Sequence, residues 1–248
     1  MTPKIRLWKR DYEIIEAVGQ GLHTTSQIAA LYFPSAKKAS ERMKLLLESG
    51  FVSRFAKPVL GVRGKPEFVY CAKGRSMKRN YATVFHALAV SEFKVQFLSW
   101  LKASGFLGAF LYPMQLQNKL RESELIPDGI FTIEKEKRLL FFLEIDLGSE
   151  SLSASNGYAF TAKLDDYSDY FDDAGYKKDF EWLGSFKGFR ALVVFDSEKR
   201  LGNFQSIAMD KKADFALMTT WERLKHGFTE CWISFDGNAA SLLGKQGI

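Results

Sequence analysis

The sequence predicts an α+β chain in two parts: a small basic unit over residues 1–78 and a mixed α/β unit over residues 79–248. Three observations carry that prediction. Residues 1–80 hold 16 Lys+Arg against 6 Asp+Glu, and the remainder holds 19 against 23, so the two parts differ in sign. Helical spacing of apolar residues recurs three times before residue 50 and gives way to two strand-like runs. From residue 82 a long helical pattern is followed by strands alternating with helices.

In the first unit, Asp11–Gly21 carries Tyr12, Ile14, Ile15 and Val18 at helical spacing, with Gly19 and Gly21 as stops. His23-Thr24-Thr25-Ser26 offers N-cap hydroxyls to a second helix bearing Ile28, Leu31 and Tyr32, which Pro34 ends. Ser35 caps a third helix running to Ser49, with Gly50 at its C-terminal stop. Its inward stripe is Ala39, Met43, Leu46 and Leu47, and Lys37, Lys38, Lys44 and, at the flank, Arg42 lie off that stripe. Phe51–Val59 and Glu67–Cys71 read as strands joined by the basic turn Gly61-Val62-Arg63-Gly64-Lys65-Pro66.

Three short helices and a hairpin with a basic tip form the pattern of a winged helix-turn-helix. Its third helix suits a DNA major groove, and a net charge this positive suits a phosphate backbone. Lys37, Lys38, Arg42 and Lys44 are the expected groove contacts, and Arg63 and Lys65 the expected wing contacts. Solvated faces and protein-binding winged helices are the alternatives.

Composition excludes several classes. Hydrophobic residues are 46% and charged residues 26%, which excludes a disordered chain or a coiled-coil rod. Cys71 and Cys231 supply neither a metal quartet nor a disulfide framework. The N-terminal stretch MTPKIRLWKRDYEI lacks the apolar core of a secretory signal, and no apolar run approaches the ~20 residues that span a bilayer. A cytoplasmic location without membrane insertion is expected.

In the second unit, Arg75–Asn80 reads as a linker and Ala82–Ser104 as a long helix carrying His86. Phe106–Met114 reads as a strand, and Ile126–Glu134 with Arg138–Leu147 as a hairpin. A helix over Tyr158–Phe171, a strand over Phe189–Asp196, a helix over Leu201–Lys212, and strands over Phe215–Thr219 and Cys231–Phe235 complete the pattern.

The strand Leu139–Leu147 is apolar except for Glu144 and Asp146, which stand two apart and so face the same side. Two adjacent carboxylates on a buried strand are costly unless a cation compensates them, and a divalent metal is the natural compensation. Pro127-Asp128-Gly129 opens the partner strand of the hairpin, so Asp128 is placed to join them as a third metal ligand. Lys163, Tyr167 and Tyr170 share one face of the following helix, and Lys163 is placed to reach the carboxylates.

Each element also has a plain reading. Asp128 suits a turn, Glu144 and Asp146 suit sheet-end acids paired with arginines, Lys163 suits a surface pair with Asp166 or Asp169, and the tyrosines suit a core. The joint pattern favours a metal–carboxylate site.

Pro127-Asp128 with Glu144-Ile145-Asp146 resembles the core of the PD-(D/E)xK restriction-endonuclease-like fold. Together with Arg10-Asp11-Tyr12-Glu13-Ile14, Gly64–Tyr70, Glu144–Gly148 and Lys163–Tyr167, it makes nearly the whole chain similar to the replication-relaxation family. Within that family its size and layout resemble the MobC-type relaxases (MOBC class) of mobilisable plasmids. The resemblance implies a winged helix fused to a nuclease-like relaxase domain, an endonuclease that nicks one strand at a plasmid transfer origin. It also implies an accessory mobilisation protein and a type IV coupling protein as partners.

On this resemblance Asp128, Glu144 and Asp146 hold Mg²⁺ or Mn²⁺. Lys163 takes the role of the motif lysine, because Asp146 stands where that lysine belongs. Tyr167 is a helper or a covalent nucleophile. The histidines at 23, 86 and 226 are too scattered for the histidine-rich relaxase motif, and there is no Walker loop. Asp146 favours a rival reading, a non-enzymatic plasmid DNA-binding regulator with a degenerate nuclease fold. A general restriction-type nuclease is a third.

Overall fold

The computed structural model describes residues 5–57, 67–74, 81–112, 115, 125–134, 136–148 and 162–244. The chain is a mixed α+β protein of two compact units, Met1–Ala103 and Ser104–Ile248. The long helix therefore counts with the first unit, whereas the boundary expected from the sequence at 78/79 assigns it to the second.

In the first unit, α1 (Lys9–Gln20) starts where Asp11 reaches back to accept the Trp8 N–H at 2.7 Å. It buries Ile14, Ala17 and Val18, while Tyr12, placed on the apolar stripe by spacing alone, is 60% exposed. β1 (His23–Thr24) leads into α2 (Thr25–Tyr32) through a capping box. The Thr24 hydroxyl accepts the Gln27 N–H at 3.2 Å, and the Gln27 side chain accepts the Thr24 N–H at 2.9 Å.

Ser35 caps α3 (Ala36–Glu48), which buries Ala39, Met43 and Leu46. β2 (Val52–Ala56) pairs antiparallel with β3 (Phe68–Ala72), and β1 adds on the other side of β3. Ile14, Val18, Ile28, Met43, Leu46, Val52 and Tyr70 form one core. Each large apolar side chain fully buried there contributes roughly 2 kcal/mol.

The long helix α4 (Tyr81–Ser104) packs Val84 and Leu88 with Leu22, Val69 and Cys71. Gln27 Nε2 also donates to the Leu88 carbonyl at 3.1 Å and to Glu92 at 3.0 Å.

In the second unit the described strands form one seven-stranded sheet. β4 (Leu107–Leu111), β5 (Gly129–Glu134) and β6 (Arg138–Asp146) pair antiparallel. β6, β7 (Phe189–Phe195) and β8 (Ala216–Thr220) run parallel. β9 (Trp232–Ser234) and β10 (Ala239–Ala240) close the other edge antiparallel. Between β6 and β7 lie α5 (Ala162–Asp172), the short α6 (Gly175–Asp179) and a 3₁₀ turn, Glu181–Leu183. α7 (Glu198–Asp210) and the short α8 (Trp221–Leu224) flank β8.

One sheet face, carrying Ile130, Leu140, Phe142, Val193, Phe195 and Met218, packs with Leu164, Tyr167, Tyr170, Tyr176, Leu201 and Phe204 from the helices. Glu144 and Asp146 continue that face by the two-residue period of β6. Among the described residues no helix is long and apolar enough to cross a membrane.

Candidate functional site

The β5–β6 hairpin sets Gly129 opposite Leu143, and Asp128 extends that register by one residue. The Asp128 N–H donates to the Leu143 carbonyl at 2.8 Å, and its Oδ2 accepts the Ile145 N–H at 2.7 Å. Asp128 is thus tied to the backbone on both sides of Glu144.

Glu144 is 1% exposed, so its ionised form needs compensation. α5 supplies it from two residues one turn apart: Lys163 Nζ donates to Oε2 at 2.8 Å, and the Tyr167 hydroxyl donates to Oε1 at 2.9 Å. Burial, and then the charge of Asp128, still push the Glu144 carboxyl up to about 7, against the downward pull of Lys163 and Tyr167. Burial, and then the neighbouring Glu144 charge, push the Tyr167 hydroxyl well above the ordinary tyrosine range. A phenol so held keeps its proton and positions Glu144. Tyr170 turns away, donating instead to Asp179 at 2.9 Å.

Asp146 has other company. Its Oδ1 accepts the Gly148 N–H at 2.7 Å, and its Oδ2 takes Arg200 Nε at 3.1 Å and Nη2 at 2.5 Å. The expected trio of metal ligands is not gathered: among the described residues, no three or more His, Cys, Asp or Glu side chains form a group able to hold a metal ion. The reason is electrostatic. The buried Asp146 is already neutralised by a guanidinium, while Glu144 takes the Lys163 ammonium and feels the charge of Asp128. Magnesium-type ions are commonly held by one or two carboxylates plus water and substrate phosphate. The donors that suit such an ion here are therefore Asp128 and Glu144.

In the first unit Lys37, Lys38 and Lys44 are exposed on α3, with Glu41 3.2 Å from Lys38 and Glu48 3.8 Å from Lys44. Arg42, expected at the groove, turns instead toward α1. Its Nε donates to Asp11 at 2.8 Å and its Nη2 to Asp11 at 2.5 Å and to the Arg6 carbonyl at 2.8 Å. Asp11 is fully buried, and an inward cation that satisfies it outweighs an outward one. Arg63 and Lys65 lie outside the described residues.

Sequence reasoning missed Arg200. It stands 54 positions from Asp146, in the first turn of a helix, and no spacing rule links the two.

Residues 19–181 match the family model described as Replication-relaxation, more than half of the chain. No curated protein matches the chain, and no solved structure does.

Proposed function

The chain belongs to the replication-relaxation family, and we propose that it acts in plasmid replication or relaxation as a metal-dependent DNA-strand nickase, a relaxase acting at a transfer origin. The first unit is read as a winged helix that binds DNA through Lys37, Lys38 and Lys44. The second is read as a PD-(D/E)xK-like nuclease domain with an endonuclease site. One observation carries the reading: a buried Glu144 that feels the charge of Asp128 and takes Lys163 Nζ at 2.8 Å.

Mg²⁺ or Mn²⁺ held by Asp128 and Glu144 would supply Lewis-acid polarisation of the phosphodiester. Lys163 orients the attacking water and offsets charge gathering on the phosphate. Water adds to phosphorus and gives up a proton as the new P–O bond forms. The bond to the leaving oxygen breaks, and that oxygen takes a proton, leaving one phosphate end and one hydroxyl end. Tyr167 holds the Glu144 carboxylate, and the Ile145 N–H holds Asp128 against the backbone of β6.

The rival reading, a DNA-binding regulator without catalysis, is favoured by Asp146 standing in place of the motif lysine. One experiment separates the two. Supercoiled plasmids with and without the DNA flanking this chain's coding sequence are incubated with the protein and Mg²⁺, Mn²⁺ or EDTA, with Asp128→Ala and Glu144→Ala as controls. Open circles from the flanking-DNA plasmid alone, only with metal and only with the unmutated chain, are the expected result. Linear product from both plasmids indicates a general nuclease. Intact supercoils with a retained specific gel shift indicate the regulator.

A further inference from the structure

The pair Asp146–Arg200 asks for an explanation of its own. A buried ion pair is a poor stability device compared with apolar packing, because desolvation consumes most of its attraction. This one has an asymmetric setting. The Asp146 side chain is 1% exposed, whereas that of Arg200 is 21% exposed, so the acid is sealed in and the guanidinium reaches the surface. The contact is edge-on: Nε and Nη2 both meet Oδ2, which turns Nη1 away from Asp146.

The surroundings hold that orientation. Gly148 has φ +78°, and a Cβ there would stand 3.0 Å from Asp196 Oδ2 and 3.6 Å from Arg200 Cδ. The backbone after β6 thus closes on the stem of the arginine. The other charged groups at this end of α7 are the exposed Lys199, Asp196, which accepts from the Ser197 hydroxyl at 3.0 Å, and Glu198, engaged by Arg223 at 2.7 Å and by Thr220 at 2.9 Å.

The location is the C-terminal end of the parallel strands β6 and β7, the side of an open α/β sheet at which ligands bind. Asp146 lies two strand steps from Glu144, about 7 Å along the same face. Arg200 therefore stands beside the Glu144–Lys163 pair rather than in it.

We infer that Arg200 is a DNA-phosphate clamp, and that Asp146 is its positioning residue rather than a metal ligand. An arginine keeps its charge at any working pH and presents a planar fork suited to phosphate oxygens. The clamp engages a phosphate of the bound strand next to the one at Glu144 and Lys163. Asp146, standing where the motif expects a lysine, thereby contributes a cation through its partner. The inference rests on the reading of the site as one that binds and cleaves phosphodiester.

The test uses the full chain and its Arg200→Gln, Arg200→Lys and Asp146→Asn variants. Binding to a mixed-sequence 40-base-pair duplex is followed by anisotropy across a salt series, and nicking is followed on the supercoiled plasmid carrying the flanking DNA. Arg200→Gln is expected to weaken binding roughly ten-fold and to lower the salt slope by about one. It is also expected to raise KM more than it lowers kcat. Arg200→Lys should recover the salt slope and only part of the affinity. Asp146→Asn should keep the slope while losing part of the nicking rate.

Melting temperatures separate these effects from unfolding. If Arg200→Gln melts early, Arg200→Lys decides the matter: full affinity and full nicking in it overturn the clamp. Unmutated affinity, slope and KM in a folded Arg200→Gln overturn it as well and leave the pair as a brace between β6 and α7. If the unmutated chain never nicks, the nickase reading fails. The salt series still judges Arg200, since a lost slope supports the clamp without catalysis and a retained one rejects it.

Discussion

Arg42 faces inward onto Asp11, with Nη2 2.5 Å from Oδ2 and Nε 2.8 Å from Oδ1, so a cation that the sequence puts at the flank of the apolar stripe of α3 is a brace between α3 and α1. Removing either partner leaves the other buried and uncompensated, which costs about 3–5 kcal/mol. Arg42→Ala should therefore lower the melting temperature sharply, measured by calorimetry. Burial pushes the Asp11 carboxyl up, but the bonds from Arg42 and the Trp8 N–H and the charge of Arg42 pull it below its ordinary value of 3.8. A lowered acid contributes stability that is present above that value and lost as pH falls through the folded one. Asp11→Asn should accordingly flatten the acid end of the stability curve.

Lys37, Lys38 and Lys44 make the opposite case. All three are exposed on α3, and the pairs Lys38–Glu41 and Lys44–Glu48 are surface pairs worth little. Their joint replacement by Gln should leave the melting temperature within about a degree while lowering DNA affinity and taking roughly two to three units off the salt slope. Anisotropy across a salt series checks this, with Arg42→Ala expected to keep its slope in the folded fraction.

His23 predicts a second pH dependence, in the range where proteins are usually handled. It is fully buried, and burial followed by the charge of Lys94 lowers its pKa from 6.5 to about 3. The folded state thus resists a proton that the unfolded chain accepts. Stability is complete above 6.5 and drains away as pH falls from there toward 3, by an amount on the order of a few kcal/mol. The melting temperature of the unmutated chain should drop between pH 7 and pH 4.5, and His23→Gln should show a shallower drop over the same interval.

How legible was this in the sequence? The Asp128–Glu144 neighbourhood was legible because two local rules meet there: the two-residue period of a strand and the register of a short hairpin. The bond from Lys163 to Glu144 followed from helix periodicity once β6 and α5 were placed. What stayed hidden depends on long-range pairing. Asp11 and Arg42 stand 31 positions apart, and an amphipathic count reads a charged residue as outward unless its buried partner is known. Arg200 escaped for the same reason: the plain reading gave Asp146 an arginine partner, but no local rule names which arginine. Tyr12 failed in the other direction, since helical spacing put on the core stripe a ring that is 60% exposed. The bridge β1 and the short α6 carry too few residues for any period to show.

Tyr167 offers the sharpest chemical test, because it separates a positioning role from a covalent one. Its ring is 1% exposed, and its hydroxyl donates to Glu144 at 2.9 Å. A nucleophilic tyrosine must give up that proton, and burial beside a carboxylate opposes the loss. Tyr167→Phe keeps the ring that packs near Phe142 and Phe189 and removes only the hydroxyl, leaving Glu144 with one donor fewer at a cost of about 1–3 kcal/mol. Nicking should then fall about ten-fold and persist. Lys163→Met, which removes the cation beside Glu144 that the proposed mechanism sets against the phosphate, should cost at least 10²-fold. A plasmid nicking time course, followed by detergent-denaturing gels for protein–DNA adducts, measures both. A nucleophilic tyrosine gives an adduct with the unmutated chain and none, together with no nicking, in Tyr167→Phe. The buried hydrogen bond requires the reverse: no adduct in either protein and a slowed but surviving cut.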